Sequence, residues 1–185
     1  MNTRLYHISD KPRIKRFIPR PTLHPSAKQK GAMVWAIDFE HLPNYLLPRD
    51  CPRVTFFANS ESDPEDIKRL MGGTSARSVI AIEAAWLPEI QKQCLYRYEF
   101  NPEGFTLVDK VAGYWISRQP VIPIGTIKIV NILAALSEHN IELRIMPSLW
   151  KLREEVIKST LGYSIIRMNK AQLPLEGLAS YHPLP

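Results

Sequence analysis

Cysteine is nearly absent: Cys51 and Cys94 are the only two in 185 residues. They are too few, and too far apart, for a disulfide framework or a C-x-x-C redox or metal site. Two such thiols suit a reducing compartment, and the chain reads as a cytoplasmic protein. Long apolar runs are missing too. None approaches the roughly 18 residues of a membrane helix, so no membrane partner is expected. The start Met1-Asn2-Thr3-Arg4 has neither the apolar stretch nor the small-residue cleavage site of an export signal. Glycine is scarce, at 8 residues, and none builds G-x-G-x-x-G or G-x-x-x-x-G-K-[ST]. H-E-x-x-H and G-x-S-x-G are absent as well, which removes the common nucleotide, metalloprotease and serine-hydrolase signatures. His7, His24 and His41 are too widely spaced, and lack the partner cysteines, to read as a zinc site, so no metal is expected.

One further absence is local. Residues 11 to 30 hold Lys11, Arg13, Lys15, Arg16, Arg20, Lys28 and Lys30 but no Asp or Glu, within a chain of net charge +6. Such a run either steers an anion toward a nearby cleft or is a solvated loop. Pro12, Pro19, Pro21 and Pro25 block regular structure there, which predicts a long surface excursion.

What is present reads as strands and short helices. Strands are expected at 4–9, 32–37, 53–58, 79–82, 95–100, 113–117, 121–124 and 141–146 from alternation and β-favouring residues. Asp38 can cap a helical turn through His41, Pro64 starts a helix that Gly72-Gly73 ends, and 84–93 is a short helix interrupted by Pro88. Ile129, Ile132, Leu133 and Leu136 recur at helical spacing, and Ser148 can cap a helix reaching Thr160. Residues 174–185 read as a loose terminus. No repeat and no low-complexity tract breaks the chain. This order predicts an α+β fold with a helical C-terminal part.

Four segments carry a resemblance: Leu5-Tyr6-His7-Ile8-Ser9, Val34-Trp35-Ala36-Ile37-Asp38, Leu95-Tyr96-Arg97-Tyr98-Glu99-Phe100, and Gly113-Tyr114-Trp115-Ile116-Ser117-Arg118-Gln119-Pro120-Val121. In this order, over about residues 4 to 130, the chain resembles small ADP-ribosyltransferases of the rifampicin-modifying kind. Over most of its length it also looks like a bacterial family of unknown function with the pattern Leu-Tyr-His-aromatic-Ser, Pro-Arg-Asp-Cys-Pro-Arg-Val-Thr-Phe and Pro-Ser-Leu-Trp. The first resemblance implies an ADP-ribosyltransferase-type α+β fold with a split, mostly antiparallel β-core in a domain over 1–130, on which a strand–helix extension over 131–185 packs. It also implies NAD as substrate and transfer of ADP-ribose to an unknown acceptor, whether small molecule, protein or nucleic acid.

By that resemblance His7 would hydrogen-bond a ribose hydroxyl, with Ser9 beside it in the NAD site. Trp35 or Tyr45 would stack on the nicotinamide, and Arg118, with Arg13 or Arg20, would grip the pyrophosphate. Cleaving the nicotinamide–ribose bond builds positive charge on the ribose, which a fixed carboxylate would stabilise. The position matching the family's acidic residue is Gln119, a neutral amide; Asp109 is the alternative carboxylate. Two other readings stay open. One is a non-catalytic binding module that has lost the acid. The other is an RNA 2′-phosphotransferase-like enzyme whose basic loop contacts RNA phosphates. Oligomeric state is not encoded in any of these features.

Overall fold

The computed structural model describes residues 3–21 and 29–174. His24, Pro25 and Lys28 of the basic loop, and the tail beyond Pro174, lie outside the described residues. In chain order the elements are β1 (Leu5–Ser9), β2 (Arg20–Pro21), β3 (Ala32–Asp38), a 3-10 turn (Leu42–Tyr45), β4 (Arg53–Phe57), α1 (Pro64–Asp66, continued as a π-turn Ile67–Met71) and β5 (Ser78–Glu83). A 3-10 turn (Ala84–Trp86) then leads to α2 (Leu87–Lys92), β6 (Leu95–Phe100), β7 (Thr106–Asp109), β8 (Tyr114–Ser117), β9 (Gly125–Ile129) and α3 (Ile132–Glu138). The chain ends with β10 (Ile141–Met146), α4 (Trp150–Lys158), β11 (Gly162–Ile166) and a 3-10 turn (Met168–Lys170). This is an α+β fold with mostly antiparallel sheets.

The chain forms two compact units, each made of two stretches of sequence: Met1–Arg49 with Glu89–His139, and Asp50–Pro88 with Asn140–Pro185. The boundary read at 130/131 falls inside the first unit, between β9 and α3.

In the first unit the sheet order is β7-β8-β3-β1-β6-β9, with β2 beside β3. Its ladders are all antiparallel. Directly paired residues share a face. The registers therefore place Leu5, His7, Val34, Ala36, Tyr98, Phe100, Trp115 and Ser117 on one face and Tyr6, Trp35, Ile37, Arg97 and Tyr114 on the other. On the first face Leu5, Val34, Ala36, Tyr98 and Phe100 form a buried cluster. Ile14, Phe17, Phe105 and Val121 pack against it from loops. Phe17 and Val121 exchange two backbone hydrogen bonds, of 2.8 and 2.9 Å, which fasten the basic loop over that face.

In the second unit the sheet order is β10-β5-β4-β11, with β10 parallel to β5 and the other pairs antiparallel. Leu152 and Val156 of α4, one turn apart, pack on Val54, Phe56, Val79 and Ala81. Burying such side chains contributes about 1.5–3 kcal/mol each. Gly162 pairs with Phe57, and a Cβ there would lie 2.4 Å from the Phe57 ring, so a larger residue would need that ring to turn aside.

One strand expectation shifts. The strand read at 121–124 lies instead at Gly125–Ile129, because Pro120 and Pro123 keep the preceding residues out of a continuous ladder and only Val121 forms a bridge. β2, β7 and β11 add three strands that the alternation pattern does not announce, β2 within the proline-rich stretch expected to lack regular structure.

Candidate functional site

The ladder between β1 and β3 consists of Leu5↔Asp38 and Tyr6↔Ile37 and then stops. Beyond it β1 continues on β6 to Ser9, and β3 continues on β8 to Val34, so the sheet splits from His7 onward. The His7 ring spans the split: its Nδ1–H donates to the Trp35 carbonyl at 2.9 Å. A carbonyl can only accept, so Nδ1 carries the proton and Nε2 is left as an acceptor. The ring packs on Phe17 at 4.9 Å and Phe100 at 6.5 Å between centroids. Burial pulls the His7 pKa down; the Trp35 bond opposes this, and the charges of Arg49 and then Arg20 lower it further. His7 is therefore a neutral acceptor in positive surroundings at physiological pH.

Several predicted residues gather at the end of the sheet where the split opens. Ser9, 7% exposed, accepts the Lys11 backbone N–H at 3.1 Å. Arg20 lies on β2 opposite Met33. Arg118 follows Ser117, which pairs with Val34, and donates to the Lys30 carbonyl at 3.1 Å. Gly31, at φ +93°, lets the Arg118 guanidinium lie against the backbone, where a Cβ would come within 3.0 Å of Nη1. The Gln119 N–H donates to Ser117 Oγ at 3.2 Å, and the Gln119 side chain is exposed.

Trp35, Tyr45 and Asp109 are grouped elsewhere. The Trp35 ring meets Tyr114 edge-on at 5.7 Å, and the Tyr45 hydroxyl donates to that of Tyr114 at 2.5 Å. Asp109 pairs with Tyr114, and its carboxylate accepts the Ala112 N–H at 2.9 Å, stabilising the turn into β8. These three share the face of Tyr114, opposite to that of His7.

Sequence reasoning missed the charged pair beside that turn. Asp38 Oδ1 accepts from the His41 backbone N–H at 2.9 Å and from His41 Nδ1 at 2.7 Å. The spacing of an acid and a histidine three residues apart was the available signal. The Asp38 bond, opposed by burial and aided by the Asp38 charge, raises the His41 pKa. Burial pushes Asp38 up, but the bonds from His41 outweigh it and its pKa is lowered. The His41 contribution to stability is full below its unfolded value of 6.5 and is lost as pH rises through the raised folded value. The Asp38 contribution is full above 3.8 and is lost as pH falls through the lowered folded value. His7, lowered on folding, takes stability away only as pH falls below 6.5. Above that point His41 alone of the three sets a slope. The melting temperature is thus expected to fall as pH rises from 6.5 through the raised folded value of His41, and His41→Gln is expected to flatten that segment in a thermal melt series.

Cys51 is fully buried and its thiol is pushed up to about 12, by burial first, with Arg53 opposing and Glu83 adding. It stays protonated and supplies no nucleophile. Among the described residues no cluster of His, Cys, Asp or Glu is arranged to hold a metal, and no helix is long and apolar enough to cross a membrane.

A split antiparallel sheet with a bridging histidine and a cationic rim defines this as an α+β protein with a candidate anion site. The chain matches a family of unknown function, DUF6886, over residues 6–171 and belongs to it. No curated protein and no solved structure matches the chain.

Proposed function

We propose that the first unit binds NAD at the split beside His7 and that the protein is ADP-ribosyltransferase-like, transferring ADP-ribose to an acceptor. The observation that carries this reading is His7 itself: a neutral imidazole, fixed by its bond to the Trp35 carbonyl, with Nε2 as acceptor and the charges of Arg20 and Arg49 acting on it. In this reading Nε2 accepts a ribose hydroxyl, and Arg20 and Arg118 hold the pyrophosphate through N–H donors. The aromatic face nearest His7 belongs to Phe17 rather than to Trp35 or Tyr45, so Phe17 is assigned the nicotinamide. The glycosidic C–N bond breaks with its electron pair leaving on nicotinamide, and the acceptor's nucleophile bonds the ribose carbon and loses its proton. Gln119, at the same end of the sheet, orients a hydroxyl of the reacting ribose.

One observation favours the reading of a non-catalytic binding module: Asp109, the alternative carboxylate, lies on the opposite face. Calorimetry with NAD at about millimolar concentration, together with an assay for released nicotinamide, separates the outcomes. Heat with release supports the transferase, heat without release supports the binding module, and no heat removes both.

A further inference from the structure

The outermost strand β9 has β6 on one side and, among the described residues, no strand on the other. Such an edge presents unpaired backbone N–H and C=O groups and templates further pairing unless it is guarded. Two of the other edges carry guards; β11, paired among the described residues only with β4, carries none but exposes a single large side chain, Tyr163. The ladder of β7 shifts register between Leu107 and Asp109, and Asp109 and Lys110 close it with charge. β10 carries the Glu142–Arg144 ion pair at 2.9 Å. β9 keeps an unbroken register with β6 from Gly125 to Ile129, with no proline or acid inside it and one lysine, Lys128. It also lies in a row of exposed apolar side chains: Ile122 at 68%, Ile124 at 67%, Ile127 at 51% and Val130 at 64% exposed, with Leu133 of α3 at 37%. By alternation Ile127 lies on one face of β9 and Ile124 and Val130 on the other, so both faces of this edge carry exposed apolar side chains of the kind that mark interaction sites.

We propose that two copies of this chain join through β9, antiparallel about a two-fold axis at Ile127, so that the sheet runs on from one protomer into the other. The choice of a second copy rests on self-complementarity. About Ile127, each Ile127 faces its counterpart, Gly125 faces Ile129 of the other copy, and Thr126 faces Lys128. Small side chains then oppose large ones, and each ammonium meets a hydroxyl. Ile124 and Val130 also fall opposite each other at both ends, extending the apolar contact. Moving the axis to Lys128 sets two ammonium groups face to face, which is destabilising. Moving it half a residue sets Ile127 against Lys128 on the same face. An axis at Thr126 also avoids like charges but pairs only residues 125–127 of the strand with each other. The axis at Ile127 is therefore the register that pairs all five residues of β9 without opposing charges of one sign, as an isologous interface requires. Pro120 and Pro123 lie before the paired segment and limit it to the five residues of β9. A heterologous strand would need none of this symmetry.

The test is sedimentation equilibrium of the full chain over a concentration series. A monomer–dimer equilibrium is expected, with slowed amide exchange at residues 125–129 at the high-concentration end. Ile127→Lys places like charges across the axis and is expected to raise the dimer dissociation constant at least about tenfold. Within the monomer residue 127 faces Arg97 of β6, so the lysine also lowers the melting temperature slightly, whereas Ile127→Glu faces that arginine favourably, keeps the melting temperature and is expected to weaken the dimer as much. Ile145→Lys, at another exposed isoleucine, is expected to leave the dimer intact. Mixing Ile127→Lys with Ile127→Glu should restore a dimer containing one of each, since only this register sets residue 127 against itself. A monomer at every concentration overturns the proposal, even if the chain captures an unrelated extended peptide. So does a dimer indifferent to Ile127→Lys, or a mixture in which the two variants fail to pair.

Discussion

His7→Phe is expected to weaken NAD binding at least about tenfold while leaving a folded protein that is about 1–3 kcal/mol less stable. The two effects come from the two nitrogens of one ring. Phenylalanine keeps the flat packing against Phe17 and Phe100, so no large cavity opens. It removes the Nδ1–H that bonds the Trp35 carbonyl, and a half-buried acceptor without its donor costs about the figure given. It also removes Nε2, the acceptor assigned to the ribose. Thermal melting reads the first loss and calorimetry the second. A variant that loses stability yet binds NAD as the parent does would make His7 a structural brace alone and would move the ligand elsewhere.

Gly113→Ala is expected to destabilise the protein by about 3–4 kcal/mol. Gly113 has φ +67°, a left-handed conformation costing about 1–2 kcal/mol for a residue with a Cβ. The new methyl would lie 2.3 Å from His41 Nδ1 and 2.7 Å from Asp38 Oδ2, so the charged bond between them must break, at about 1.5–3 kcal/mol. Gly104 supplies the control. It has φ +78°, and a methyl there would meet nothing within 4 Å, so Gly104→Ala is expected to cost only about 1 kcal/mol. Denaturant unfolding of the two variants compares strain alone with strain plus displacement. Equal losses would mean that the Asp38–His41 pair contributes nothing to stability.

Much of the fold is legible locally. Leu95–Phe100 and Ile141–Met146 are strands bounded by turn residues, and both fall where their alternation places them. The helix expected from Ser148 starts at Trp150, where the N-cap is Leu149 and makes no side-chain cap bond; Ser148 lies one residue earlier, with its Oγ 3.5 Å from the Trp150 N–H. β7 and β11 are different, because they are short and half-exposed and their order comes from the strands beside them. At the candidate site the identity of His7 is readable, since a histidine on an alternating first strand stands out. Its partner is not, because the bond to the Trp35 carbonyl depends on a ladder that stops after two pairs, and register is set by long-range pairing. The nearness of Arg49 to His7 is a property of the same tertiary arrangement. Asp38 is readable as a cap of the turn through His41, whereas the second bond, from the His41 ring, follows only once Gly113 has brought β8 alongside.

The interleaved order of the two units bears on biosynthesis. On the ribosome β4 and β5 emerge long before β10 and β11, the strands that flank them, and before α4, which covers Val54, Phe56, Val79 and Ala81. The nascent β4–β5 pair must therefore wait, with both edges bare and much of its greasy side wet, until synthesis has passed Ile166. Chains that stop early, near residue 130, are the natural clients of chaperones and proteases.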